Sequence, residues 1–432
     1  MVSKWFLSQS PGGGPGSLRK VHRALALREL SKQPGISRAE LAGRLGLSSM
    51  AIGRIVRELE DAGLTGETDA AQTSGGRGRP ATGLHLRDQG AYVAGAVISA
   101  FSQEAHLLNL CGESVASQPV PLANIANGPK TIGLFCDAIT ELIANSGIAP
   151  ERVAGAGFAV AANVDTNHGA VAGGGYLGWS AFDLARTAQR ALGLPVTVNN
   201  IADALLRAEV FAGCASATRA AVLIHCATLL GASYMANDAL VCGARFQAGR
   251  IGHFPAHATR LVCSCGQSDC LNCTASGWSI LNRLDLLASS TYQIDQVQTY
   301  SQLTRALVRG GLASNAKDMQ DTQKTKRTMR EAGGALARGL RFVELSFDPD
   351  MIILAGPLAA HDDYFRGVMK GLQASGPSGA NIASKLTRSL ITPGQAAGIT
   401  ALLDIVFSPS LDLQRLASAQ AGRNNKKAPR QV

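Results

Sequence analysis

The sequence predicts an α/β protein fronted by a small helical module. Two patterns carry this reading: residues 18–63 hold three short pieces of helical periodicity, and from about Leu84 short β-branched runs alternate with longer helical stretches. Length adds a third: 432 residues exceed what one small core can organise, so two or three domains are expected.

The front module can be justified element by element. Residues 1–17 read as a flexible leader containing Pro11-Gly-Gly-Gly-Pro-Gly. Leu18, Val21 and Leu25 then fall at i, i+3 and i+7, predicting a helix to about Ser31 that Pro34-Gly35 stops. Ser37-Arg-Ala-Glu40 has the form of a capping box, so a second helix is expected through Leu41 and Leu45 to a turn at Gly46-Leu47. A third starts at Ser48-Ser49, buries Ile52, Ile55, Val56 and Leu59, and ends at Ala62-Gly63. Three short helices with a Gly-containing turn between the last two make a helix-turn-helix, whose last helix enters the major groove of DNA.

The outward face of that helix offers Ser48, Ser49, Met50, Ala51, Arg54 and Arg57, with Arg38 on the preceding helix. Small residues allow close approach, and arginine can grip guanine with two bonds or meet phosphate. The plain alternative is a three-helix packing unit with no ligand. Gly53 inside the helix costs about 1 kcal/mol relative to Ala, and either backbone approach to DNA or neutral drift accounts for it. The module spans residues 18–70. Residues 71–85 then form a Gly/Arg-rich wing or linker in which Arg77 and Arg79 suit a narrow minor groove; a merely basic linker is the competing reading.

Residues 86–412 form the α/β body. Strands are expected at Ala91–Ile98, Val153–Val160, 196–198, 220–224 and 351–354, and helices at Thr131–Ser146, Leu184–Leu192, Ala202–Phe211 and Lys324–Phe347. Two lobes around a cleft fit this length.

Charge is unevenly placed. Residues 1–90 carry thirteen Lys and Arg against eight Asp and Glu, and the basic tail 413–432 carries five basic groups and no acid. The remainder cancels, so positive charge sits at the two ends, as expected where an end meets a polyanion; for the tail, a solvated terminus is the plainer reading. No run of about 18 apolar residues spans a membrane, and the start lacks the features of a secretory signal. Five of the nine cysteines (Cys111, Cys136, Cys214, Cys226, Cys242) are scattered in apolar surroundings, as buried thiols in a reducing, cytoplasmic compartment would be.

The remaining cysteines lie together. His253-Phe-Pro is followed by Cys263-Ser-Cys265-Gly-Gln-Ser-Asp-Cys270 and then Cys273. Three thiolates and an imidazole suit tetrahedral Zn²⁺. The Cys273 thiol leaves an all-cysteine site open, which would free His253. The motif resembles the zinc loop of the ROK family, which joins sugar kinases to sugar-responsive repressors; the front module resembles the winged helix-turn-helix of its repressors. Over roughly Leu18 to Phe407 the resemblance implies a two-lobed, actin-like body, and a closed structural Zn²⁺ site made of His253, Cys263, Cys265 and Cys270.

Against the family's pattern, three kinase elements are missing. Val97-Ile-Ser99-Ala-Phe101 stands where Asp-x-Gly-x-Thr is usual, and Ala227-Thr-Leu-Leu-Gly231 where Gly-Thr-Gly-x-Gly is usual. Ile201 follows Asn200 where the general base should be, and Ile cannot accept a proton. No enzyme activity is therefore expected. Asn200 and His253 remain at sugar-pocket positions, while Arg250 and Asn272 replace two glutamates. This inverts the local charge and suits a sugar phosphate or sugar acid over a neutral hexose; a pocket kept only as scaffold is the competing reading. Trp179 reads as a packed aromatic, Asp203 as solvated or a cap, and Asp362-Asp363 as a loop. The chain is thus expected to be a regulator, of repressor type, of carbohydrate-related genes, binding double-stranded operator DNA as a dimer or tetramer and answering to a sugar-like effector. A kinase with an appended head, and a DNA-binding protein without an effector, are the alternatives.

Overall fold

The structure, a computed structural model, describes residues 15–69, 82–122, 124–173, 175–237, 239–310 and 318–427. Helices Pro15–Lys32, Arg38–Leu45 and Ser49–Asp61 form the head. The capping box is present: the Ser37 side chain accepts from the Glu40 amide, and the Glu40 carboxylate accepts from the Ser37 amide. Gly46 closes the second helix at φ 64°, a left-handed conformation that disfavours any side chain. Strand Thr82–Leu86 pairs antiparallel with both Thr65–Asp69 and Ile36–Ser37, which completes a winged helix-turn-helix. Part of the segment expected as wing or linker is therefore strand, and Arg77 and Arg79 lie outside the described residues.

The body holds two five-stranded sheets. The first runs in the order Val196–Asn200, Val153–Val160, Tyr92–Ile98, Gln103–Asn109, Ser114–Pro119, with the first three parallel and the others antiparallel. The second repeats that pattern as Leu386–Arg388, Met351–Ala355, Ala220–Cys226, Leu230–Ala236, Ala239–Leu240. The two sheets are the cores of the expected lobes. The central strands are buried along nearly their whole length, which is why they read as continuous apolar runs rather than alternating ones.

Helix Pro393–Ala401 returns the chain to the first lobe and lies very close to its sheet. A Cβ on Gly157 would collide with the Ala397 carbonyl, and one on Gly95 would come within 2.6 Å of the Gly398 amide. The helix continues as a π-turn at Leu402–Val406. The basic tail is not a loose terminus at its start: Leu413–Lys427 is helical and buries Leu416.

One hydrophobic cluster runs from the head into the first lobe. It joins Leu27, Leu30, Ile52 and Leu59 to Val93, Leu110, Leu402, Phe407 and Leu416. Polar bonds lock the same junction. Arg28 donates to the carbonyls of Phe407 (2.9 Å) and Leu403 (3.1 Å), and burial brings its guanidinium down to about 10. Arg152 donates to the carbonyls of Ala62 (3.0 Å) and Leu416 (3.2 Å). No helix among the described residues is long and apolar enough to cross a membrane.

Of the scattered cysteines only Cys136 and Cys226 are buried. Cys111 and Cys214 are exposed and Cys242 is intermediate, because apolar neighbours in sequence do not fix which way a side chain faces.

Candidate functional site in the head, the metal cluster and the cleft

In the head, the recognition helix Ser49–Asp61 is capped by Ser48, whose side chain accepts from the Ala51 amide at 3.2 Å. Ile52, Ile55, Val56 and Leu59 are buried, leaving Ser48, Ser49, Met50, Arg54 and Arg57 exposed and Ala51 half-buried. Met50 is 75% exposed. A Cβ on Gly53 would meet nothing within 4 Å, so packing does not require this glycine. Arg57 donates back to the Gly53 carbonyl at 3.1 Å. Arg38 differs from the other candidates: it pairs with Glu67 (2.7 Å) and Glu60 (3.2 Å), tying the second helix to the third and to the wing strand.

The metal cluster is compact. The ligand atoms of His253, Cys263, Cys265 and Cys270 all lie within 4.8 Å of one another. Individual edges are 3.3 Å between Cys265 and Cys270, 3.5 Å between Cys263 and His253 Nδ1, and 3.9 Å between Cys270 and His253 Nδ1. Zinc bonds of about 2.3 Å to sulfur and 2.0–2.1 Å to nitrogen imply tetrahedral edges of roughly 3.5–3.8 Å. The four residues fit that ion. Cys273 is buried beside the group rather than in it: its thiol reaches the Leu261 carbonyl (3.7 Å) and also bonds Cys263.

The cleft candidates are less alike than their sequence positions imply. Asn200 is the cap of helix Ile201–Ala212: its side chain accepts from the Ala202 amide (2.9 Å) and donates to the Ala162 carbonyl (2.8 Å). Asn272 is buried beneath Gly252 and accepts from the Leu230 amide at 2.9 Å, so it fastens the metal loop to the neighbouring strand. Arg250 is exposed and touches Gln247 at 3.2 Å. Asp203 is not solvated: Ser233 of the second lobe donates to it at 2.6 Å. Burial raises its carboxyl above the ordinary range, against the pull of Ser233 and Arg207. Trp179 is packed, with its indole donating to the Ile125 carbonyl at 2.7 Å. Asp362 and Asp363 open a helix rather than a loop, and Asp363 holds Arg330 at 2.7 Å.

In the two segments that stand against the family's phosphate loops, side chains bond to residues of this chain. The Ser99 hydroxyl accepts from the amides of Phe101 (3.1 Å) and Ser102 (2.8 Å), curling the first loop on itself. Thr228 of the second loop is buried and bonded to Ser301 (3.0 Å), which Tyr176 also reaches (2.6 Å). Arg305 lies over the Phe101 ring at 5.2 Å. His225 packs against Gly356, where a Cβ would come within 2.9 Å of the ring, and burial pulls its imidazole down to about 4.

Sequence reasoning missed Arg28, Arg152, Arg207 and Asp404. Arg207 pairs with Asp404 through both of its terminal nitrogens, and Thr197 donates to the same carboxylate at 2.7 Å. The available signal was a lone arginine in the apolar stretch Ile201–Ala212.

Comparison with known proteins agrees with this geometry. Residues 105–390 match the model of the ROK family, and residues 25–64 that of a winged helix-turn-helix DNA-binding domain. The DNA-binding transcriptional repressor Mlc of Escherichia coli is 23% identical over 418 residues, covering 95% of this chain and 100% of Mlc. The xylose repressor of Bacillus spizizenii is 28% identical over 268 residues, covering 62% of this chain and 68% of that protein. Among solved structures, a ROK family transcriptional regulator homologous to E. coli Mlc superposes with a TM-score of 0.69 at 21% identity, covering 93% and 99% of the two chains. The ROK hexokinase of Thermus thermophilus gives 0.51 at 20% identity over 72% of this chain and 98% of its own, which reflects the shared body fold. The chain belongs to the ROK family, as a member of transcriptional-regulator type carrying a winged helix-turn-helix head.

Proposed function

We propose that this protein represses carbohydrate-related genes by binding operator DNA through paired heads, with a body that performs no phosphoryl transfer. The observation that carries the reading is a reading head docked on the body through one shared hydrophobic cluster, beside loops whose Ser99 and Thr228 bond within the chain. One head contacts too few base pairs for specificity, so a dimer or tetramer is required. The long helix Asp318–Phe347, with Leu345 82% exposed beside Phe342 and Phe347, supports that assembly. Ser48, Ser49, Met50, Ala51, Arg54 and Arg57 form the DNA face, extended by Arg77 and Arg79, while Arg38 acts through the ion pairs that orient the helix. Zn²⁺ held by His253, Cys263, Cys265 and Cys270 is structural, because four protein ligands leave no open position.

Arg250 is an exposed cation available to an anionic sugar derivative at the cleft; Asn200 and Asn272 shape the pocket through the backbone they hold. Genomic fragments recovered on the purified protein and sequenced test the reading, with ATP and hexoses supplied in a parallel phosphorylation assay. Retention of a small set of promoters and no turnover is expected. Absence of salt-sensitive duplex binding, or turnover of ATP with a sugar, would overturn it.

A further inference from the structure

Strand Val196–Asn200 ends in Asn199 and Asn200, and helix Ile201–Ala212 starts there. Arg207, on that helix, donates to the side chain of Asn199 at 3.0 Å and to Asp404 at 2.8 Å, with its second terminal nitrogen on the other Asp404 oxygen. Thr197, on the same strand, donates to Asp404 at 2.7 Å. Asp404 lies in the π-turn Leu402–Val406. Leu403, next to it, and Phe407, just past the turn, carry carbonyls that accept from Arg28 of the head's first helix. Hydrogen bonds together with the covalent backbone of the π-turn thus join strand Val196–Asn200 to the head through Arg207, Asp404 and Arg28.

A shielded ion pair is an inefficient way to add stability, since desolvation consumes most of its attraction, and apolar residues of similar volume do as well. Its particular property is direction: a forked guanidinium on a carboxylate fixes both groups in plane as well as in distance. A π-turn adds a residue to a helical turn and so re-aims the chain beyond it, and such turns recur at functional sites. The pair therefore sets an angle between two bodies better than it resists unfolding.

We propose that Arg207 and Asp404 are positioning residues of the reading head, which set its pose on the body through the π-turn and Arg28, and so the separation of two heads in the assembly. The inference rests on the reading of the chain as a paired-head regulator. Removing the charge should leave each head able to read DNA but place the two heads wrongly.

The test uses full-length Asp404→Asn, Arg207→Lys and the milder Thr197→Val. The probes are a duplex selected from a random pool by the wild-type protein, carrying two half-sites, and the same duplex with one half-site scrambled. Zinc content and melting temperature serve as folding controls. Asp404→Asn is expected to lose about tenfold or more in affinity for the two-site duplex while staying within about twofold on the single-site duplex. Arg207→Lys should lose less, since it keeps the charge but not the fork. An equal loss on both duplexes, or no loss on either, overturns the proposal. If Asp404→Asn does not fold, Thr197→Val decides by the same comparison, with about threefold expected on two sites. A wild-type protein that selects no duplex would instead remove the regulator reading, and this proposal with it.

Discussion

Arg152 gives the most direct measure of how firmly the head is seated. Its guanidinium is buried (4% exposed) and donates to the carbonyls of Ala62 at the end of the recognition helix, Leu416 of the C-terminal helix and, at 3.4 Å, Gln89 before the first sheet. Hydrogen bonds from a charged donor contribute about 1.5–3 kcal/mol each, and carbonyls left unsatisfied in the interior cost a similar amount. The third bond is long and counts near the bottom of that range. Arg152→Met also removes the cost of burying a charge, which offsets part of the loss. The net expectation is about 2–4 kcal/mol against the docked head, or roughly a 30- to 1,000-fold rise in its opening equilibrium. Hydrogen exchange resolved by residue is the assay: amides of 52–59 should exchange faster by that factor, while those of strand Val153–Val160 change much less. Unchanged exchange in the head would refute the reasoning. Equal acceleration in head and sheet would show that Arg152 supports the lobe as a whole rather than the junction.

Three further outcomes are expected. Cys265→Ser should release zinc and lower the melting temperature by several degrees, read by metal analysis and a thermal scan; retained metal with unchanged melting would count against a four-ligand site. His225 is held neutral, with its folded value pulled to about 4 by burial, below the ordinary 6.5. The unfolded chain therefore binds the extra proton first, and stability should decline as pH falls from 6.5 toward 4, by at most about 3 kcal/mol. Urea unfolding of His225→Asn beside the wild type isolates that slope, and parallel slopes would dismiss it. Arg54→Ala and Arg57→Ala, measured by anisotropy across a salt series, should each reduce the salt dependence of DNA binding by about 0.9 where the side chain neutralises a phosphate; neither doing so would place the backbone contacts elsewhere.

The head was legible because its information is local. The periodicity of Ile52, Ile55, Val56 and Leu59, the Ser37–Glu40 box and the glycine turn each act within a few residues, and all are present. The metal cluster was legible for a similar reason, since ligand chemistry restricts which side chains can gather. The cleft was legible only by analogy, and there the carried-over roles of Asn200 and Asn272 meet side chains already engaged with backbone. Arg28, Arg152 and Asp404 escaped because their partners lie scores to hundreds of residues away in sequence and are mostly carbonyls, which every residue possesses. The tail was misjudged by its charge: Leu416 inserts into the shared cluster, although the basic groups around it suggested a solvated end.

The interior that links head to lobe has a consequence for how such proteins diversify. A module hung on a tether can be exchanged freely, because nothing beneath it has to match. Here Leu27, Leu30 and Leu59 interlock with Phe407, Leu411 and Leu416, so a transplanted head would arrive with the wrong underside. On the proposed DNA face, new target sequences would be reached more readily by altering the few outward side chains of helix Ser49–Asp61 than by swapping the whole front, and a chimaera should fuse cleanly only if its C-terminal helix travels with its head.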